Sequence, residues 1–333
     1  ESAGAAPGPA CYGRGGTQLT VTDANVVLGF INPVALAGGG LLIRRDLAVA
    51  ALEKAVARPM NLSLEEAAWG VHRVANAAMA RALRAVSTER GRDPRDFAIL
   101  AFGGNGPIHA ATLARLLEVK RILIPPVPGL FSALGMLFPE VEHHYVRTFK
   151  RRLDTIDRAA MEGVFATMEA EGAAALADEG FGPPARRFER QIDLRYVGAN
   201  SELTVPYPAA SDPAAKLGEA FAAMYERQYG YRSDEETIET MSLRVVAQGI
   251  AATSHVPERL SMSDANNAVS GMREVYFGPE TGWVSAPICA RSDLDADWRQ
   301  GPLLVEEFDS TTVVPPDGRA RRVAWDAIEI ELA

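Results

Sequence analysis

The stretch ILAFGGNGPIHAATL, residues 99–113, decides the fold. The apolar run FAILAF at 97–102 is typical of a strand that is covered on both faces. A Gly-Gly turn follows it and leads into a helical pattern at 108–118, and a second apolar strand, RILIPP, occupies 121–126. This strand–helix–strand order predicts a parallel α/β sheet with a glycine turn at the carboxyl end of its first strand.

The glycine turn is the strongest candidate binding site that the residues alone indicate. Backbone without Cβ atoms at Gly103 and Gly104 lets a flat or anionic ligand approach closely. The first amides of the following helix favour negative charge, and Pro107 suits a first helical position. Ligands in open α/β sheets bind at such carboxyl ends. A tight strand–helix connection that binds nothing is the alternative, and the pattern leaves both open.

Composition excludes several classes of protein. The chain has 333 residues, of which 47% are hydrophobic and 23% charged, and its formal net charge is -9. An acidic globular chain of this kind argues against nucleic acid and anionic membranes as main partners, and no apolar run is long enough to span a bilayer. The two cysteines, Cys11 and Cys289, favour free thiols in a reducing cytoplasm. The five histidines lack the spacing of a metal motif, so no metal site is predicted.

The opening stretch ESAGAAPGPACYGRGG, residues 1–16, is a shaped loop. Two prolines restrict its backbone, and the loop then presents Cys11 and Tyr12. We expect it to form a rigid wall of a substrate cleft, made by Pro7, Gly8, Pro9, Cys11 and Tyr12. A nucleophilic Cys11 needs a base beside it, and none lies near in sequence, so a buried structural thiol is the favoured interpretation.

Two further polar residues are candidates near these loops. Asp23 lies in LTVTDANVVLG at 19–29, a β-like run. Its carboxylate could orient water or hold Mg²⁺ through water in a catalytic role, or it could cap a following turn. His109 lies in the first helical turn after the glycine turn. A structural histidine is favoured there over one that faces a ligand.

The rest of the chain divides near residue 150, which predicts two domains, 1–150 and 151–333. Before the division, Asp46 is expected to cap a helix at 48–57, and Ser63 with Glu66 forms a capping box for a helix over 61–91. After an exit strand at 141–153, the pattern predicts a helix, a β-hairpin, another helix and then strands, at 154–181, 188–208, 214–231 and beyond 237. The acidic stretch 252–272 reads as an exposed loop or linker.

Together these motifs resemble the second half of hydantoinase A, a subunit of the hydantoinase/oxoprolinase family. The resemblance rests on ESAGAAPGPACYGRGG, TVTDANVVLG, AFGGNGPIHA, ILIPPVPGLFSALGML, LRYVGANSELTVP, YFGPETGWV and VEEFDSTTVVPP, which occur in this order. It implies an actin/hexokinase/Hsp70-like α/β fold, with 1–150 as part of the second ATPase lobe and 151–333 as an α+β C-terminal domain. The residues that match the family's adenosine-contacting turn are Phe102, Gly103, Gly104, Asn105, Gly106 and Pro107. The chain has Ala199 where the family commonly has Gln.

The resemblance also implies a function. Family members use ATP and Mg²⁺ to phosphorylate a ring amide such as hydantoin or 5-oxoproline before water opens it, and they work with a hydantoinase B-type subunit. The family's phosphate-binding loops precede the ESAGA segment, so we expect this chain to be a C-terminal half that needs an N-terminal phosphate-binding lobe and is inactive alone. Two alternatives stay open: an ATP-dependent ketone carboxylase of the acetone or acetophenone type, and a non-catalytic nucleotide-lobe or assembly module that needs its missing lobe in trans.

Overall fold

A computed structural model describes residues 2–136, 141–208, 213–233, 236–250 and 271–333. Two compact units make up the chain: Glu1–Leu137 together with Pro257–Ala333, and Phe138–Val256. The chain thus leaves its first unit after residue 137 and returns to it. The division predicted at residue 150 falls inside a strand of the second unit, and most of the predicted loop at 252–272 lies outside the described residues.

The first unit begins with helices around one core. It contains the short strands β1 (Ala35–Leu36) and β2 (Leu41–Leu42), and a π-helical turn at Glu53–Ala57 joins two of its helices. The helices are α1 (Val21–Val27), α2 (Arg45–Leu52), α3 (Arg58–Met60) and α4 (Leu64–Val86). The predicted strand–helix–strand region follows as β3 (Ile99–Leu100), α5 (Gly106–Leu116) and β4 (Arg121–Ile124), and then α6 (Phe131–Gly135).

The second unit is an antiparallel sheet with helices packed on it. Its elements are β5 (Val141–Arg152), α7 (Arg158–Asp178), β6 (Arg186–Tyr196), β7 (Leu203–Pro206), α8 (Pro213–Tyr229) and β8 (Ile238–Gly249). The strand order is β5-β8-β6-β7. The exit strand, both helices and the hairpin at 188–208 are therefore confirmed. Ala199 packs against the core of this unit, and Arg195 pairs across the strands with Glu239 at 2.7 Å.

The last part of the chain completes the sheets of the first unit. Its strands are β9 (Gly271–Tyr276), β10 (Trp283–Cys289), β11 (Arg299–Gln300), β12 (Leu303–Glu306), β13 (Thr311–Val314), β14 (Gly318–Arg322) and β15 (Ile328–Leu332). They form one sheet of order β13-β12-β10-β9, and a second of order β11-β14-β15-β4-β3. The predicted parallel pairing of β3 with β4 is confirmed, but β15 lies antiparallel to β4. The sheet is mixed because the C-terminal strands join it.

The strand before the glycine turn differs from its prediction. Only Ile99 and Leu100 of FAILAF form strand, and they lie at the edge of the sheet beside β4. Leu100 is 49% exposed and Phe97 is 56% exposed, so this strand is not covered on both faces. Apolar composition indicated burial, but an edge position leaves one side of the strand without a neighbour.

The β-like run at 19–29 is also wrong as a strand, because its central residues form α1. Thr20 caps this helix in a capping box with Asp23, in which each side chain accepts a hydrogen bond from the backbone of the other. Residues 23–31 are all buried, so no face of this segment is exposed to solvent. A continuous apolar run does not distinguish a buried helix from a strand, and the capping pattern was the deciding signal.

Two helices of the first unit, α4 and α2, have different ends from those predicted. The Ser63–Glu66 capping box is confirmed, but α4 ends at Val86, and Gly91 closes a separate short turn at Thr88–Arg90. Asp46 does not cap α2: it lies exposed in the first turn and pairs with Arg44 at 2.7 Å. The buried face of α4 includes two polar residues, His72 and Asn76.

Candidate functional site

The glycine turn opens toward solvent between β3 and α5. Gly103 has φ +87, and the position of a Cβ atom there has no neighbouring atom within 4 Å. Its backbone amide donates a 2.7 Å hydrogen bond to the carbonyl of Pro128, which fixes the turn to the loop after β4. Gly104 and Asn105 are exposed, and within the described part of the chain their amides bond no acceptor. The turn therefore presents two free backbone donors at the start of a helix.

Aromatic and acidic side chains flank the turn. Phe102 is 44% exposed, and its ring centroid lies 5.4 Å from that of Phe131. Asp309 accepts a 2.7 Å hydrogen bond from the amide of Gly129. A Cβ atom at Gly129 would lie 2.7 Å from the Asp309 carbonyl, so only glycine fits this close approach. These contacts hold the turn between β12 and β13 against the loop that supports Gly103.

A buried arginine, Arg291, fixes the turn between β12 and β13. Arg291 makes two hydrogen bonds of 2.7 and 2.8 Å to the carboxylate of Glu307, two residues before Asp309. Its terminal nitrogens donate hydrogen bonds of 2.7–3.2 Å to the backbone carbonyls of Ile124, Pro125 and Asp326. A guanidinium suits such a set because its donors form a rigid planar fork. The segment VEEFDSTTVVPP forms two paired strands joined by this turn, and its place beside the glycine turn was not predicted.

Asp23 anchors the opening loop instead of facing a cleft. Its carboxylate is fully buried and accepts hydrogen bonds from the amides of Cys11 and Ala10, at 2.7 and 3.3 Å. It also accepts bonds from the amide and hydroxyl of Thr20, at 2.9 and 2.7 Å. These four donors, three on Oδ2 and one on Oδ1, commit the buried carboxylate to holding the loop and capping the helix. The capping alternative describes Asp23, and the expected catalytic role does not fit these contacts.

Cys11 is a structural thiol in this geometry. Its side chain is fully buried, and burial, together with a hydrogen bond and the charge of Asp23, raises the pKa of the thiol well above its usual range. A neutral thiol is a weak nucleophile, so the favoured structural interpretation agrees with its surroundings. Of the other residues of the expected cleft wall, Gly8 and Pro9 are buried, Tyr12 is half-buried and Pro7 is exposed.

The structure brings the opening loop and the glycine turn to the same helix. The side-chain amide of Asn105 lies 3.4 Å from the Thr22 hydroxyl of α1, next to the Asp23 that holds the loop. Two sites that are about 80 residues apart in sequence are thus neighbours. Among the described residues, no group of three or more His, Cys, Asp or Glu side chains is arranged to hold a metal ion.

Asn25, a third residue of α1, contacts two buried histidines that the sequence did not indicate as a pair. The side-chain oxygen of Asn25 lies 3.0 Å from His72 Nδ1, and its side-chain nitrogen lies 3.3 Å from His109 Nε2. The two imidazoles stack, with centroids 4.6 Å apart. Burial lowers the pKa of His109 to about 4, and burial together with the nearby His109 lowers the pKa of His72 to about 3. Both rings are neutral at physiological pH.

Two family models match most of the chain. The family model for hydantoinase/oxoprolinase matches residues 1–145, and the model for the C-terminal domain of that family matches residues 150–330. The chain belongs to the hydantoinase/oxoprolinase family. It is 38% identical over 331 residues to an uncharacterized protein of Methanocaldococcus jannaschii, covering 99% of this chain and 47% of that one. It is 31% identical over 327 residues to caprolactamase subunit alpha of Pseudomonas jessenii, covering 96% and 47%.

More distant members of the hydantoinase/oxoprolinase family carry other names. The chain is 29% identical over 351 residues to 5-oxoprolinase 1 of Arabidopsis thaliana, covering all of this chain and 27% of that protein. It thus spans about half the length, or less, of the curated relatives it matches. Domain matches at 1–145 and 150–330 divide the chain close to the predicted residue 150, whereas the compact units divide it after 137 and 256.

Solved structures establish the fold. The crystal structure of ATP-dependent caprolactamase from Pseudomonas jessenii aligns with a TM-score of 0.86 at 29% identity, covering 100% of this chain and 49% of that one. A nucleotide-free acetone carboxylase aligns with a TM-score of 0.69 at 23% identity, covering 98% and 48%. The predicted mixed α/β fold of the actin/hexokinase type is confirmed. Of the described helices, none combines the length and the hydropathy needed to cross a membrane.

Proposed function

We propose that this chain forms the adenosine side of the ATP site in an enzyme that opens ring amides. One observation carries the proposal. The turn Gly103–Asn105 presents two free amides at the start of α5, in a family whose members include a caprolactamase and a 5-oxoprolinase. Backbone donors at a helix start are suited to polar or anionic parts of a nucleotide.

The surroundings of the turn fit a nucleoside. The open space at Gly103 leaves room for a flat ring, and the exposed Phe102 and Phe131 supply an apolar surface for it. Gly106 and Pro107 begin the helix, so the amides before them keep a fixed direction. In this proposal the residues from Phe102 to Pro107 bind adenosine, and Arg291 and Asp309 keep the neighbouring loop in place.

An amide is a poor electrophile, which is the physical reason for using ATP. ATP held by the residues from Phe102 to Pro107 would supply a phosphoryl group that activates the amide oxygen. One water would then add to the ring carbon as the ring nitrogen leaves, and a second water would release the phosphate. Asp23 does not fit the expected Mg²⁺ role, since its carboxylate already accepts hydrogen bonds from Ala10, Cys11 and Thr20. The part that this chain contributes is therefore binding and orientation. The loop from Pro7 to Tyr12, held by Asp23, is proposed as a cleft wall on the side of the ATP phosphates.

Partners follow from the same proposal. We infer that a lobe with the phosphate-binding loops and a hydantoinase B-type subunit complete the enzyme. Two buried free cysteines support a cytoplasmic location. Calorimetry with Mg-ATP tests the need for the first lobe. Binding by the full-length protein and none by the 333-residue chain is expected, and tight binding by the chain alone would contradict it.

A ketone carboxylase is the second candidate. The chain is 29% identical over 338 residues to the acetophenone carboxylase gamma subunit of Aromatoleum aromaticum, close to its identity with the oxoprolinase. The substrate dependence of ATP hydrolysis separates the two. Stimulation by acetone or acetophenone with bicarbonate, and none by ring amides, would favour the carboxylase. A chain that only assembles the complex would leave hydrolysis unchanged when its glycine turn is altered.

A further inference from the structure

A cavity of the first unit lies along α5. It has a volume of about 630 Å³ and is bounded by α4, by α5 from Ile108 to Leu116, and by the segments 277–281 and 313–317. Along α5, the cavity residue Arg115 is nine residues beyond the first residue of the helix, which corresponds to roughly 13 Å. None of the residues from Phe102 to Pro107 lines the cavity, which begins at Ile108, the next residue of α5.

One buried imidazole lines this cavity with an unused nitrogen. His72 is 1% exposed, and its Nε2 atom has no hydrogen-bond partner among the described residues. We infer the form of the ring from its contact with Asn25. The side-chain oxygen of Asn25 lies 3.0 Å from His72 Nδ1 and accepts a hydrogen bond from a proton on that nitrogen. A neutral ring has one proton, so Nε2 is left as an acceptor. An unpaired buried acceptor calls for a donor from a ligand.

Aromatic side chains shape the wall next to that acceptor. The Trp69 ring stacks on His72 with centroids 5.3 Å apart and planes 14° from parallel. Phe30 and Phe277 also line the cavity, with ring centroids 5.9 Å apart. Gly278 has φ +97, and a Cβ atom there would lie 2.8 Å from the Trp69 ring. The segment YFGPETGWV thus brings its backbone onto Trp69, and the cavity favours a flat, largely apolar ring.

The mouth of the cavity carries positive charge. Arg73 follows His72 on α4 and is exposed at the lining, and no described residue forms an ion pair with it. Arg115, also at the mouth, is already paired with Asp317. Arg73 is therefore the group available to a carboxylate on the outer end of a ligand.

We propose that this cavity binds the ring amide, with the ring N–H donating to His72 Nε2, the ring lying against Trp69, and any ring carboxylate meeting Arg73. The choice of ring amides over other flat donors rests on the proposed function. In this arrangement His72 and Arg73 are binding residues, and Asn25 is a positioning residue that keeps His72 in its acceptor form.

Two matched compounds test the pocket without any substitution. Titration of the 333-residue chain with 2-pyrrolidone and N-methyl-2-pyrrolidone, followed by ligand-observed NMR, compares a ring with the N–H donor and one without it. We expect 2-pyrrolidone to bind at least tenfold more tightly, since the methylated ring leaves the His72 acceptor unpaired. Equal affinity for the two compounds, or binding of neither, would overturn the proposal.

Variants locate the binding. His72→Phe keeps a flat ring beside Trp69 but removes the acceptor, and should abolish the preference for 2-pyrrolidone. Arg73→Gln should weaken 5-oxoproline about tenfold and leave 2-pyrrolidone unchanged, whereas Arg81→Gln, on an exposed part of the same helix, should alter neither. An unchanged preference in folded His72→Phe would contradict the site, and if that variant does not fold, the Arg73→Gln comparison decides.

Failure of the pocket is distinguishable from failure of the proposed function. ATP hydrolysis that ring amides stimulate equally in the full-length wild type and its Arg73→Gln and His72→Phe variants would keep the function and reject the pocket. Ring-amide binding with the expected preferences, but without any stimulated hydrolysis in the full-length assembly, would keep the pocket and reject the function.

Discussion

The buried carboxylate of Asp23 accepts a 2.7 Å hydrogen bond from the backbone amide of Cys11, twelve residues earlier in the chain. This bond ties the opening loop to the first turn of α1. The next residues of the same helix reach the other two features, because Thr22 contacts Asn105 of the glycine turn and Asn25 contacts both buried histidines. One short helix therefore positions the loop, the turn and the histidine pair.

Asp23→Asn should loosen the opening loop. An amide nitrogen in place of a carboxylate oxygen is a donor that faces other donors, so one or more hydrogen bonds are lost. We expect the free energy of unfolding to fall by about 1–3 kcal/mol, and Cys11 to become reactive toward maleimide. Urea unfolding and thiol labelling measure these effects. Asp46→Asn, in an exposed first turn of α2, is the control. A variant with native stability and a protected Cys11 would contradict the anchoring role.

The buried histidines predict a loss of stability in mild acid. Both have pKa values lowered from 6.5 in the fold, to about 3 for His72 and about 4 for His109. Below pH 6.5 the unfolded chain therefore binds protons that the folded chain does not, so stability falls as pH falls toward 4. Each histidine contributes a slope of about 1.4 kcal/mol per pH unit over this range.

Substitution separates these histidines from the carboxylates that also titrate. His109→Gln should reduce the slope of the unfolding free energy against pH by the amount that corresponds to about one proton. His144→Gln, on an exposed side chain, should leave that slope unchanged. Urea midpoints measured at several pH values between 6.5 and 4.5 give both slopes. Identical slopes in the wild type and His109→Gln would mean that the ring is not held neutral by the fold.

Gly104→Val should block the nucleotide without disturbing the fold. The backbone at Gly104 has no positive φ, and a Cβ atom there makes only ordinary contact at 3.5 Å with the Asp309 carbonyl. The branched side chain would instead occupy the space in front of the free amides. Calorimetry on the full-length protein should show Mg-ATP binding weakened at least tenfold, with an unchanged unfolding midpoint. Gly163→Val, in an open position of α7, is the matched control, and equal weakening by both variants would contradict the assignment.

Arg291→Lys tests the hydrogen bonds of the buried Arg291 guanidinium. A lysine retains the charge but has three donors, so at least two of the five acceptors that the guanidinium reaches lose their partner. We expect the free energy of unfolding to fall by about 2–3 kcal/mol. Arg147→Lys, in an exposed pair with Glu171, should cost less than about 0.5 kcal/mol. Equal costs at the two positions would show that the fork is not required.

Local patterns predicted much of the fold. The Ser63–Glu66 capping box placed the start of α4, and the Gly-Gly turn placed the boundary between β3 and α5. The segment around Asp23 was misjudged because a helix buried on all sides has no polar stripe, which leaves the Thr20–Asp23 cap as its only helical sign. The predicted coverage of β3 on both faces was wrong because apolar composition does not show whether a strand has neighbours on both sides.

The parts of the site that were not predicted depend on distant contacts. Asn25, His72 and His109 come from three helices, and no spacing in the sequence relates them. The arginine fork at Arg291 likewise joins strands and loops that lie up to about 170 residues away. The expected catalytic role of Asp23 did not follow either, because a carboxylate in sequence gives no sign of how many backbone donors will meet it.

The measurement that tests the central claim most directly is ADP release by the full-length assembly in the presence of 5-oxoproline, hydantoin or ε-caprolactam. The account predicts that at least one ring amide stimulates ADP release, with about one ring opened for each ADP formed, and that Gly104→Val lowers both together. Hydrolysis that no ring amide stimulates, or that ketones with bicarbonate stimulate instead, would contradict it.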